Sequence, residues 1–268
     1  MKTDQKQAGV TLLEVVVVIA LVAILIVVAV PTYRKIKDSA GAAVSSRHLR
    51  ALVAANEAYA SEHNMTYCPA TSKNNKVRWH GSRESRRGAF SPEGGFLSPY
   101  LQNSTNVVSC PLFKDVITGS SSFEEGAGAF GYNWTYIGGL PQDHFQGNRT
   151  FNVPDKANTI MFTSTALAKS KGLQEYPFCE PYEWVDPNWI LSGQLQPSVH
   201  FRYGGKALVA WCDGHVTLEE PAEIGGPNYY GGDNKESMIG WLGPKEENGY
   251  WNPRYRELTA EDESEAAQ

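Results

Sequence analysis

The chain has 268 residues, enough for one large domain or two small ones. Its net charge of −5 lacks the basic footprint of nucleic-acid binding, so no nucleic-acid partner is expected, while 41% apolar residues supply a packed core. The 25 glycines and 15 prolines predict many turns. None of the four cysteines, Cys68, Cys110, Cys179 and Cys212, forms a C-x-x-C pair, which argues against a zinc ribbon or a thioredoxin-like site.

Residues 10–30 read VTLLEVVVVIALVAILIVVAV, in which only Thr11 and Glu14 are not apolar. As a helix this run is about 31 Å long, close to one hydrocarbon core. A secretory signal peptide has a shorter apolar region and a small-residue cleavage site, which Val28-Ala29-Val30 before Pro31 does not supply. A plain single-pass anchor fits the length but leaves Glu14 unexplained. Glu14 either caps the helix start, where the dipole favours an anion, or is an intramembrane acid with a task.

Gly9-Val10-Thr11-Leu12-Leu13-Glu14, followed by the unbroken apolar stretch, resembles the leader and helix start of type IV prepilins. The resemblance implies a leader MKTDQKQAG cut after Gly9 by prepilin peptidase, and N-methylation of Val10. Glu14 becomes the fifth residue of the mature chain and meets the Val10 amine of a neighbouring subunit. Most members of the family carry Phe where this chain has Val10. Pro31 stands where many pilins have a helix-kinking proline. Lys2 and Lys6 before the run are matched by Arg34, Lys35 and Lys37 after it, so a cytoplasmic leader follows from the resemblance and not from charge.

Beyond Pro31, Ile36, Ala40, Val44, Leu52, Ala55 and Tyr59 recur at helical spacing. One long helix over residues 10–62, bent near Pro31, is predicted, with its second half packed on a sheet. Residues 63–125 read as loop-rich, and KNNKVRWHGSRESRRG as a solvated basic loop. Strand candidates are Ala129–Ile137, Thr159–Ser164, Lys206–Cys212 and His215–Glu219. Asp213-Gly214 between the last two predicts a two-residue turn with positive φ at both positions. The fold class is α+β: a long N-terminal helix, its first half transmembrane, against an antiparallel sheet with long loops, as in pilins. The expected organisation is leader 1–9, transmembrane helix 10–30, amphipathic continuation 31–62, globular domain 63–256 and an acidic, disordered tail 257–268.

Residues 202–216 (RYGGKALVAWCDGHV) resemble the tail motif of a prepilin-like, processing-associated family defined by His, nine residues, then Asp-Gly. The spacing to Asp213-Gly214 holds, but Tyr203 occupies the His position. Ser109-Cys110-Pro111 and Gly131-Tyr132-Asn133-Trp134 resemble that family's middle region.

His200, Asp213 and His215 are suitable zinc or iron ligands, although the turn already accounts for Asp213. GGPNYYGGDN (225–234) offers Asp233 and Asn234 to calcium without matching a defined calcium loop. Four cysteines permit three pairings; proximity in sequence suggests Cys68–Cys110 and Cys179–Cys212. Trp184, Trp189, Tyr229, Tyr230, Trp241, Tyr250 and Trp251 serve either packing or a sugar- or partner-binding face. No G-x-S-x-G elbow, H-E-x-x-H pair or phosphate-binding loop is present, so no enzyme is expected.

The expected role is a structural subunit of a type IV pilus-like or type II secretion pseudopilus filament. Its partners would be sibling subunits, prepilin peptidase and an inner-membrane assembly platform. The chain would be single-pass, with the C-terminal domain in the periplasm or an extracellular filament. The competing classes are a membrane-tethered binding protein or adhesin that does not polymerise, and a tethered hydrolase using His200 and Asp213.

Overall fold

The computed structural model describes residues 11–101, 107–114, 116–117, 124–139, 145–185 and 191–256. The expected leader, Val10, Trp189 and the acidic tail lie outside them. The chain divides into two compact units, residues 1–40 and 41–268.

Helix α1 covers Leu12–Glu62. In the first unit its large apolar side chains from Leu12 to Val30 are 46–83% exposed. A helix apolar on every side needs a non-aqueous surrounding, and this one is long and apolar enough to cross a membrane. Helical backbone continues through Pro31, whose missing N–H leaves the Val27 carbonyl without its usual donor. One residue on, the Thr32 hydroxyl donates to the Val28 carbonyl at 2.9 Å.

In the second unit α1 becomes one-sided. Gly41, Ser45, Leu49, Leu52, Val53, Asn56 and Ala60 form its buried stripe, at steps of three and four. The expected face is displaced: Leu52 and Ala55 are buried, Val44 and Tyr59 half-buried, and Ile36 and Ala40 exposed. The stripe is carried by small and polar residues that an apolar pattern does not register. A Cβ on Gly41 would stand 2.6 Å from Leu112 Cγ, so glycine lets α2 (Pro111–Lys114) approach. The helix ends at Asn64 and Met65, both left-handed, with Met65 N–H donating to the Ala60 carbonyl at 2.9 Å.

The strands are β1 (Val77–Arg78), β2 (Gly81–Ser82), β3 (Phe130–Tyr132), β4 (Ile160–Ser164), β5 (Leu167–Lys169), β6 (Gly172–Gln174), β7 (Glu183–Val185), β8 (Leu191–Gln194), β9 (Val199–His200), β10 (Ala207–Trp211), β11 (Val216–Glu219), β12 (Glu223–Ile224) and β13 (Ile239–Trp241). The central sheet has the order β11-β10-β4-β3, antiparallel throughout. A second sheet runs β12-β13-β9, and the described residues also form three two-stranded ribbons. The α+β reading therefore holds.

One expected strand is shorter. Ala129–Ile137 yields only β3, because Asn133 starts a turn in which its Oδ1 accepts the Tyr136 N–H at 3.2 Å. In β4 the register shifts, so that Ala210 faces Phe162 while Trp211 faces Ile160. Met161 is the extra residue of this bulge, and both it and Phe162 join the core cluster beneath α1. Phe130, Tyr132, Leu208, Ala210 and Cys212 share that face. Ile160, Ala207, Val209 and Trp211 lie on the other face with Tyr182, Trp241 and Trp251.

The β10–β11 turn differs from expectation. Trp211 N–H donates to the His215 carbonyl at 3.0 Å and Gly214 N–H to the Trp211 carbonyl at 2.9 Å. Three residues form the loop, and only Gly214 has a positive φ, 93°. This is a type I turn closed by a glycine bulge. Cys212 and Asp213 donate their N–H groups to the Thr159 and Lys156 carbonyls, which holds them out of a tighter turn. The two-residue turn sits instead at Gly204-Gly205, with φ of 65° and 85° and Tyr203 and Lys206 bonded on both sides.

All four cysteines are free and buried, so the expected disulfides are not formed. Cys110 lies at the level of Ser45 on α1, whose Oγ donates to its Sγ at 3.3 Å. Cys68 lies at the level of Asn56, whose Oδ1 accepts its N–H at 2.9 Å. Eleven helical residues separate those levels by about 16 Å, beyond the ~7 Å a disulfide spans. Cys212 and Cys179 occupy the cores on opposite faces of the central sheet.

Candidate processing and assembly site

The start of α1 holds the one acid of the apolar segment. Thr11 is the N-cap: its N–H and hydroxyl both donate to Glu14 Oε2, at 2.8 and 2.9 Å. Glu14 N–H points back to Thr11 Oγ1 at 3.3 Å. This is a capping box, with threonine and the glutamate three residues later satisfying each other's backbone donors. The cap answers how the chain tolerates the acid and leaves a second role open. Oε2 takes both bonds, and Oε1 accepts none among the described residues. Leu12 and Leu13 beside it are 83% and 73% exposed. The cleavage position Gly9 and the methylation position Val10 lie outside the described residues.

The other predicted site residues do not assemble. Asp213 Oδ1 takes the His215 backbone N–H at 3.0 Å and meets His215 Nδ1 at 2.6 Å. Partial burial raises the Asp213 pKa, but the His215 contacts outweigh it and hold the carboxyl below its usual value. The His215 ring stacks on Trp211, so the motif braces the hairpin tip. His200 is buried in β9 beside Phe113, and its pKa is pushed well below normal by burial and by the Arg202 charge. No hydrogen bond or ion pair joins it to Asp213 among the described residues. Asp233 Oδ1 accepts the Lys235 N–H at 2.8 Å, and Asn234 Oδ1 accepts Asn228 Nδ2 at 3.0 Å. Both bonds shape their own loop. Among the described residues no group of three or more His, Cys, Asp and Glu side chains converges. Trp241 and Trp251 are core, while Tyr229 is 74% exposed.

Three arrangements escaped the sequence reading. The basic stretch is only partly solvated: Arg78, Trp79, His80 and Arg83 are buried. Arg78 forms a two-pronged ion pair with Glu124 and lies between the Phe90 and Phe178 rings, at 4.6 and 5.0 Å. Its partner is 46 residues away, and no local pattern announces it. Tyr203, in place of the motif's histidine, sets its hydroxyl 3.2 Å from Cys110 Sγ, linking the Gly204-Gly205 turn through Cys110 to Ser45. Buried Glu180 accepts the Tyr176 hydroxyl at 2.5 Å and Trp134 Nε1 at 2.7 Å. Burial pushes its pKa up to about 6 against the pull of those two donors.

Residues 4–30 match the family described as the prokaryotic N-terminal methylation motif. The match spans Gly9, Val10 and Glu14 and supports a type IV pilin-like or pseudopilin chain; it ends before the tail motif around Asp213. No curated protein and no solved structure matches the chain.

Proposed function

We propose that this chain is a structural subunit of a type IV pilus-like or type II secretion pseudopilus filament. The observation that carries the proposal is the methylation motif at residues 4–30 on an exposed apolar helix that bears Glu14 at its start. The motif and helix fit anchoring in the inner membrane and processing by prepilin peptidase. The same helix is a packing surface, because apolar side chains around its whole circumference find cover in lipid or in the helices of other subunits.

In this reading the peptidase cuts between Gly9 and Val10 and leaves a cationic amine one residue before the cap. N-methylation of Val10 preserves that charge. In the filament Glu14 meets the Val10 amine of the neighbouring subunit. At ~4 Å and an effective dielectric near 20 such a pair gains about 4 kcal/mol, and it fixes axial register. Thr11 holds one carboxylate oxygen in place and leaves the other for the neighbour. Head-to-tail contacts of this kind do not close, so they build open helical filaments. The domain from Gly41 onward would then face the periplasm or the filament surface. A structural role also agrees with the candidate ligands being used within their own turns.

The mature N-terminus tests the proposal. Mass spectrometry of the chain from cells with active prepilin peptidase should find methylated Val10 first. A chain retaining Met1, or starting near Pro31, would refute processing as a prepilin. Glu14→Ala should leave cleavage intact and remove the subunit from sheared filaments; normal incorporation would refute the role of Glu14.

A further inference from the structure

The end of α1 carries a second modification motif. Glu62-His63-Asn64-Met65-Thr66 contains the Asn-x-Thr acceptor of N-glycosylation, with an acid two positions before the asparagine. Bacterial oligosaccharyltransferases read such an acid together with the hydroxyl residue. Asn103, Asn133 and Asn148 also begin Asn-x-Ser/Thr triplets, but Leu101, Gly131 and Gln146 stand at the acidic position.

The structure separates these asparagines further. Asn133 is fully buried: its Nδ2 donates to the Ile160 and Trp251 carbonyls, both at 2.9 Å. Asn148 Nδ2 donates to the Tyr136 carbonyl at 3.0 Å, and its Oδ1 accepts Arg149 N–H and Asn152 Nδ2. Modifying either would first break those bonds. Asn103 lies outside the described residues. Asn64 is exposed, and its carboxamide makes no hydrogen bond among the described residues.

The backbone also favours Asn64. Asn64 and Met65 have φ of 53° and 57°, two successive left-handed steps that end α1. Asparagine takes this conformation more readily than most residues, which suits it to the helix end. The Met65 carbonyl accepts the Thr150 N–H at 2.8 Å and Thr66 bridges Arg149, so the turn is fixed in place and holds Asn64 at the surface. Met65 between acceptor and hydroxyl is 51% exposed. Glu62 is also exposed, with Oε2 held by the Tyr100 hydroxyl at 2.6 Å.

We infer that Asn64 is an N-glycosylation acceptor, modified by a membrane oligosaccharyltransferase after the domain has left the cytoplasm. This rests on the membrane orientation proposed above. In the reaction Asn64 Nδ2 bonds to the anomeric carbon of a polyprenyl-diphosphate-linked oligosaccharide. The bond from that carbon to the diphosphate oxygen breaks, the diphosphate leaves with the electron pair, and the amide nitrogen gives up one proton. Glu62 and Thr66 serve recognition: the acid binds the transferase, and the hydroxyl holds the asparagine in the reactive turn.

The test uses the full chain, extended after Gln268 by an exposed acid-x-Asn-x-Thr tag. It is produced in bacteria with and without an oligosaccharyltransferase and its lipid-linked oligosaccharide. Mass analysis follows the tag and the tryptic fragment 51–73, which contains Asn64. The expected result is glycan on both when the transferase is present. Asn64→Gln and Thr66→Ala should abolish it on the fragment alone, Glu62→Gln should reduce it, and Thr66→Ser should retain it. A modified tag beside a bare Asn64 overturns the inference and leaves the orientation standing. If both stay bare, the domain does not reach the transferase, and orientation and inference fall together. Glycan on Asn133 or Asn148 with none on Asn64 overturns the accessibility argument.

Discussion

Glu180 gives stability a pH dependence that one substitution should remove. The carboxylate is 5% exposed, and among the described residues its bonds come from Tyr176, Trp134 and no cation. Burial disfavours its charged form and lifts its pKa from 4.5 to about 6. The folded state thus holds the proton more tightly than the unfolded chain. Stability from this group is fully present below pH 4.5, falls as pH rises toward 6, and stays lower above it. A difference of about 1.5 in pKa corresponds to about 2 kcal/mol. Glu180→Gln keeps the shape: its carbonyl can accept Trp134 Nε1, and its amide can donate to the Tyr176 oxygen. The neutral variant should match the parent near pH 4.5 and exceed it by about 2 kcal/mol above pH 6.5. Equilibrium urea unfolding of the full chain in detergent, followed by tryptophan fluorescence, measures both profiles. Comparing the profiles cancels other titrating groups such as Glu175, whose pKa burial also raises. Parallel curves between pH 4.5 and 6.5 would refute the reasoning.

Asn56 ties α1 to Tyr132 Oη and to Cys68 N–H, both at 2.9 Å, so Asn56→Ala should cost about 2–3 kcal/mol, seen as a lower urea midpoint with an unchanged slope. Arg78→Leu removes the two-pronged partner of buried Glu124 while the charge of Arg83 remains nearby, and should destabilise by about 3 kcal/mol; a loss within about 0.5 kcal/mol, a surface-sized effect, would show the pair to be inconsequential. The four buried thiols should resist alkylation in the folded chain and all react in denaturant without reductant, whereas a disulfide would leave two unreactive.

The parts of the fold legible in sequence are those that repeat locally. The apolar run from Val10 to Val30 announces its helix, and the continuous apolar run Ala207–Trp211 ahead of Asp213-Gly214 announces the central hairpin. The buried face of α1 was harder to read because Gly41, Ser45 and Asn56 hold it through close approach and hydrogen bonds. Arg78 looked like a solvated cation because its partner comes from residue 124 and its aromatic cover from residues 90 and 178. The Asp-Gly turn misled because dipeptide chemistry permits two loops, and the carbonyls of Lys156 and Thr159 choose between them. At the candidate site, Thr11 and Glu14 are three residues apart, so the capping box is readable by eye, whereas the state of the Val10 amine depends on cleavage.

The additional residue in β4 makes that strand's length critical. Ile160 and Thr163 share one side of the sheet although they are three apart, and Met161 with Phe162 occupies the other. Deleting Met161 would leave Ile160, Phe162 and Thr163 on their present sides in a regular ladder, but would take from the core the sulfur that lies 3.5 Å from Asn56 Nδ2. One further residue inserted into β4 would instead turn the part of the strand beyond it to the opposite face and expose its core side chains.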